Sequence, residues 1–200
     1  MAKLFGTMYE PLFNYIDRYS ESPLTSADEA LIKKSFAPKT LKRKQMFLEQ
    51  GHICHYTGFI LKGAMRLYSI DSNGTEHIIQ LAIENWWMVD RKSYLMKTPS
   101  VYNIDAWEDT ELLALKHEDL LQLLNIPAIK EMFWQMDQSN FIASQERLNY
   151  SITLPAKERY EELLKNYPDF VQRFPQHTIA SYLGINKETL SRVRSKLVKK

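Results

Sequence analysis

The spacing of apolar and polar positions changes character twice along the chain. The first 35 residues follow helical spacing, interrupted at Pro23 and Thr25; Ser26 and Glu29 then match a capping box leading into Ala30, Leu31 and Ile32. From about residue 41 to 115 the pattern shortens to β-branched and aromatic runs at 56–61, 65–70, 77–83, 101–106 and 111–115. Turn residues separate these runs at Glu49-Gln50-Gly51, Lys62-Gly63 and Asp71-Ser72-Asn73-Gly74, the last a strong hairpin signal. Many short strands at this spacing predict a closed or double-sheet β structure of jelly-roll type. After His117 the helical period returns, with a short helix over 117–125. Pro127 suits a first helical turn, and more than 20 residues without Gly or Pro follow it.

Within that long segment Ile129, Phe133, Met136, Asn140, Ala143, Arg147 and Tyr150 alternate at steps of four and three, the step of a helix-pairing seam. Two readings stay open. The stripe joins two copies of the chain, with Asn140 fixing register, or it packs the helix on its own barrel. Leu154-Pro155 marks the next boundary, beyond which 156–165, 178–183 and 187–199 are predicted as three helices.

Composition narrows the classes. The 200 residues are 44% hydrophobic with a net charge of +2, ordinary for globular protein. No apolar run approaches the roughly 20 residues of a membrane helix. The N-terminal stretch lacks the apolar core and cleavage site of a signal peptide, so a cytoplasmic location is expected. Cys54, the single cysteine, makes no internal disulfide and excludes an all-cysteine iron–sulfur cluster held by one chain. Charge is unevenly placed: residues 151–200 hold ten Lys/Arg against five Asp/Glu, which suggests a polyanionic partner at that end.

The stretch QHTIASYLGINKETLSRVRS, residues 176–195, explains such a partner. A helix-turn-helix needs a small residue where its helices cross and a glycine in its turn, and Ala180 and Gly184 stand at those offsets. Ile179, Leu183, Ile185, Leu190 and Val193 supply the apolar inner face, and Asn186 suits the second helix's N-cap. Lys187, Glu188, Ser191 and Arg192 fall on one side of that helix near its N-terminus, the end that enters the major groove. Arg192 can pair with guanine O6 and N7, and Glu188 can accept from cytosine N4. Thr178, Thr189, Arg194 and Lys196 suit phosphate contacts.

With these motifs in view, the sequence resembles the cyclic-AMP receptor/Fnr-type (Crp/Fnr) bacterial transcription regulators over nearly its whole length. SYLGINKETLSRVRSK is similar to the family's recognition motif, with its Glu-Thr pair and the Arg four residues after the Glu. GFILKGAMRLYSIDSNGTEHIIQLA is similar to its β-roll hairpin, and LPAKERYEELLKNYP to the linker and first DNA-domain helix of its short members. The resemblance implies an α+β fold: a cyclic-nucleotide-binding-type β-roll (a double-stranded jelly-roll), a long dimerisation helix and a C-terminal helix-turn-helix domain of winged-helix type. The expected division is a sensory roll with flanking helices over 1–125, the long helix and hinge over 126–153, and the DNA-binding domain over 154–200. Implied partners are a near-palindromic operator in double-stranded DNA, a second copy of the chain, a small-molecule effector and RNA polymerase; no cofactor or metal is expected.

Two departures from the family matter. Its phosphate cassette carries Gly-Glu-Leu and, about ten residues on, an Arg-Ser pair. Here Val89-Asp90-Arg91 and Ser100-Val101 stand at those positions. Asp90, Arg91, Ser100 and Val101 thus mark the expected effector pocket, but without the glycine and the phosphate-neutralising arginine, so tight cyclic AMP binding is not expected. The sequence also stops at Lys200 without an evident wing, which is expected to weaken phosphate contacts.

Readings outside this class are weaker. His52, His55 and His77 with Glu76 are the available metal ligands, yet His-x-x-His puts its two histidines on opposite faces of a strand, unlike a cupin-type metal enzyme. Cys54 has no evident base to activate it as a nucleophile. The aromatic residues Trp86, Trp87, Tyr94, Tyr102 and Trp107 either line an apolar pocket or pack as core. An effector-sensing or interaction module that has lost DNA binding is the remaining alternative.

Overall fold

The computed structural model describes residues 8–198. Helix α1 (Glu10–Arg18) buries Leu12 and Ile16, and α2 (Ser26–Ser35) buries Ile32. The cap of α2 lies one residue earlier than expected. Thr25 Oγ1 accepts from the Asp28 amide at 3.2 Å, while Asp28 Oδ2 accepts from the Thr25 amide at 2.9 Å. Both members of the box are therefore shifted, with Asp in the place of Glu.

Among the described residues eight strands form two four-stranded sheets: β1 (Phe36–Leu41), β2 (Met46–Leu48), β3 (Tyr56–Lys62), β4 (Met65–Ile70), β5 (Glu76–Ala82), β6 (Trp87–Met88), β7 (Asn103–Ala106) and β8 (Thr110–Lys116). Their orders are β1-β8-β3-β6 and β2-β7-β4-β5. The five expected runs all appear. Strands β1, β2 and β6 do not stand out in the sequence, because β1 contains Pro38 and Lys39 and the other two are very short. Pro38 is tolerated because β1 is an edge strand. Gly63 turns β3 into β4 at φ +98°, and a Cβ there would lie 2.5 Å from Thr110 Oγ1 and 2.6 Å from the Asp109 carbonyl. Helices α3 (Arg91–Met96), α4 (His117–Leu123) and α5 (Pro127–Thr153) follow, then α6 (Ala156–Asn166), α7 (Pro168–Arg173), α8 (Gln176–Tyr182) and α9 (Lys187–Val198). The expectation of three helices after residue 154 missed α7, six residues started by Pro168.

The described residues divide into two compact units, those up to 67 with 82–139, and 68–81 with those from 140 on. This differs from the expected three-part division: the distal part of the β4–β5 hairpin, residues 68–81, groups with the C-terminal helices. In the first unit the aromatic residues serve as packing. Trp87 lies 5.2 Å from Phe59, 5.4 Å from Phe133 and 6.1 Å from Phe36 between ring centroids. Trp107 lies beneath the guanidinium groups of Arg43 and Arg66. Arg66 is buried and holds Asp105 through two bonds of 2.8 and 2.9 Å, so neither charge is left unpaired. In the second unit Phe170 packs on Phe174 and Tyr182, and Tyr160, Leu163, Ile179, Leu190 and Val193 are buried.

Candidate nucleic-acid interface

Helices α8 and α9 are joined by a tight turn. Gly184 takes φ +67°, and the Ile185 amide donates back to the Ala180 carbonyl at 3.0 Å. Asn186 Oδ1 accepts from the Thr189 amide at 2.8 Å, the N-cap bond expected of it. Leu190 and Val193 bury one side of α9 while Lys187, Glu188, Ser191 and Arg192 are exposed on the other. Arg192 donates to Thr189 Oγ1 at 3.1 Å, a bond between neighbours on the same turn. Arg194 and Lys196 are also exposed. Among the described residues none of Lys187, Arg192, Arg194 and Lys196 is paired with a carboxylate, so their charge faces solvent.

One expected phosphate contact is corrected by the geometry. Thr178 is 1% exposed and its hydroxyl is enclosed in the helical core, so it cannot reach a phosphate. Its place on the first turn of α8 suits a phosphate contact by sequence, and only packing shows that it points inward.

The four cassette positions divide into two arrangements. Asp90 caps α3 and is buried: Oδ1 accepts from the Ser93 amide at 3.2 Å and Oδ2 from the Ser100 hydroxyl at 2.6 Å. Ser93 Oγ in turn accepts from the Cys54 amide at 2.8 Å and donates to the Thr98 carbonyl at 2.6 Å. The network is closed on itself. Arg91 points elsewhere, into a two-bond pair with Asp137 of α5, and Val101 is exposed. Asp137 was not anticipated, since nothing in its local sequence marks it. The Arg91 guanidinium is therefore already paired with a carboxylate. A groove of about 340 Å³ opens nearby, lined by Lys39, Phe47, His52, His55 and Tyr56 among others, but by none of the four expected residues. Among the described residues no His, Cys, Asp or Glu group is arranged to hold a metal, and His77 bonds Asp71 at 2.9 Å.

The long helix bears on both open readings of its stripe. Ile129 is buried, Phe133 packs on Trp87, and Arg147 donates to the Ile79 carbonyl, so both ends of the expected seam are occupied by the chain itself. The apolar residues left exposed on α5 are Trp134, Phe141, Ile142, Leu148 and Ile152. Trp134, Phe141 and Leu148 stand seven apart and Ile152 four further on, which is again pairing spacing, rotated from the expected stripe by about one residue.

A β-roll of two four-stranded sheets followed by a long helix and further helices defines the class: residues 38–126 of the chain match the cyclic nucleotide-binding domain family. Among solved structures it is similar to FixK2 from Bradyrhizobium japonicum (17% identity, 82% of this chain and 85% of that one, TM-score 0.71). The catabolite activator protein of Thermus thermophilus is 21% identical over 94% of this chain and 87% of that one, with a TM-score of 0.55. The c-di-GMP-responsive global regulator CLP of Xanthomonas campestris is 12% identical over 88% and 92%, with a TM-score of 0.69. Among curated proteins none matches the sequence. Among the described residues no helix is long and apolar enough to cross a membrane.

Proposed function

We propose that the chain is a dimeric transcription regulator that reads operator DNA with α9. The observation that carries this is the division of α9 into a buried side, with Leu190 and Val193, and an exposed side bearing Lys187, Glu188, Ser191 and Arg192 free of carboxylate partners. Arg192 and Glu188 read base edges; Thr189, Arg194 and Lys196 hold phosphates and set register. Two such helices, spaced by a pair of α5 helices meeting along Trp134, Phe141, Leu148 and Ile152, fit a near-palindromic site with half-sites about one DNA turn apart. Regulators of this kind act in the cytoplasm, on DNA and RNA polymerase.

The closed Asp90–Ser100–Ser93 network and the Arg91–Asp137 pair support control by something other than cyclic AMP. The test of DNA reading is selection of duplexes from a random library with wild-type protein and with Arg192→Ala, at two salt concentrations. The expected result is a palindromic consensus that relaxes at one base pair per half-site in the variant, at a cost of about 1–3 kcal/mol per site. Binding without a consensus, steeply salt-dependent and indifferent to the variant, would leave only an electrostatic patch and favour the interaction-module reading.

A further inference from the structure

We propose that Ser181 and Arg147 are positioning residues that clasp the α8–α9 pair to strand β5 and preset the attitude of α9 for DNA. Strand β5 ends its sheet, and an edge strand carries outward N–H and C=O groups that need partners. The Asp71 amide donates to the Thr75 carbonyl at 3.1 Å at the hairpin's tip. Glu76 and Ile78 present two such edge groups, and Ser181 satisfies both at once. Its Oγ accepts from the Ile78 amide at 2.9 Å and donates to the Glu76 carbonyl at 3.1 Å.

A second tie lies beside the first. Arg147 of α5 donates to the Ile79 carbonyl, and its guanidinium sits 4.9 Å from the ring centroid of Tyr182, the residue after Ser181. Tyr182 packs in turn on Phe170 in the helical core. The clasp thus joins α8 to the hairpin by its backbone edge and joins both to α5. Its bonds run from Ser181 and Arg147 to β5 and Tyr182, not to Lys187, Glu188, Ser191 or Arg192 of α9. It therefore holds the reading helix without covering it, and lowers the ordering cost that DNA binding would otherwise carry.

This role rests on α9 being the base-reading helix, so its test has a readout independent of DNA. In the full-length chain, amide exchange at Ile78 and affinity for the selected operator are measured for wild type, Ser181→Ala, Ser181→Thr, Arg147→Gln and Arg192→Ala. Wild type should protect the Ile78 amide. Ser181→Ala should speed its exchange at least tenfold and weaken operator binding about three- to tenfold, with the consensus and the salt slope unchanged. Arg147→Gln should weaken binding in the same pattern, and Ser181→Thr, which keeps the hydroxyl, should restore both readouts. Arg192→Ala should leave Ile78 protected and change the consensus. An Ile78 amide that exchanges freely in wild type overturns the clasp. So does a Ser181→Ala protein that loses the protection yet binds operator as tightly as wild type or more tightly. A wild-type protein that protects Ile78 but selects no consensus overturns instead the reading of α9, and with it the positioning role.

Discussion

At the scale of single residues, Cys54 shows how burial sets chemistry. Its side chain is enclosed beside Asp90, and burial first, with that carboxylate adding to it, pushes the thiol from 9.0 up to about 11. Backbone hydrogen bonds oppose the shift without cancelling it. The neutral thiol is thus favoured in the folded state. A raised folded value means stability that is whole below the unfolded value and is lost as pH rises through about 11. Native protein at pH 8 should react with iodoacetamide about a hundredfold more slowly than urea-unfolded protein, from the thiolate fraction alone. Stability measured by denaturant should fall as pH rises from about 9 to 11, and Cys54→Ala should lessen the early part of that fall, the rest coming from buried tyrosines such as Tyr15 and Tyr94, whose hydroxyls burial also pushes up. Rapid labelling of the native protein at pH 8 would show that the thiol is not enclosed.

At the scale of elements, the long helix α5 carries the proposed dimer seam. Its sequence carries two apolar stripes, and either one satisfies helix-pairing spacing. Packing chooses between them: the stripe through Ile129 and Phe133 is used within the chain, and Trp134, Phe141, Leu148 and Ile152 remain exposed. Wild-type protein should therefore scatter light as a dimer at micromolar concentration. Phe141→Asp combined with Leu148→Asp should halve the measured mass, because two carboxylates per chain would have to be desolvated at the seam. Met136→Ala, on the expected but half-buried stripe, should leave the dimer intact. If the double variant stays dimeric and Met136→Ala dissociates, the seam is the one expected from the sequence.

At the scale of the whole molecule, residues 38–126 match a cyclic nucleotide-binding domain, but Asp90, Arg91 and Ser100, three of the four residues expected to form an effector pocket, are spent on internal bonds. A cyclic nucleotide phosphate would have to break the Asp90–Ser100 bond, approach a buried carboxylate and do so without a free guanidinium, because Arg91 is held by Asp137. Calorimetry with cyclic AMP should show no binding at micromolar concentrations; heat fitting a micromolar dissociation constant would contradict this account.

Much of this was legible in the residues. The hairpin at Asp71–Gly74, the strands on either side of it, Ala180 and Gly184 at the helix crossing, and the Asn186 cap all follow from local chemistry, since each feature is decided within a few residues by turn propensity, side-chain size or a short-range bond. The exposed side of α9 also follows from sequence, because helical period alone separates Leu190 and Val193 from Arg192. Tertiary structure alone decided the rest. Arg91 and Asp137 are 46 residues apart, and Ser181 and Ile78 are 103 apart, distances over which periodicity carries no information. The inward turn of Thr178 and the choice between the stripes of α5 depend likewise on which surface another element covers. A sequence states which side of an element is apolar; what that side meets is set only when distant elements compete for the same surface.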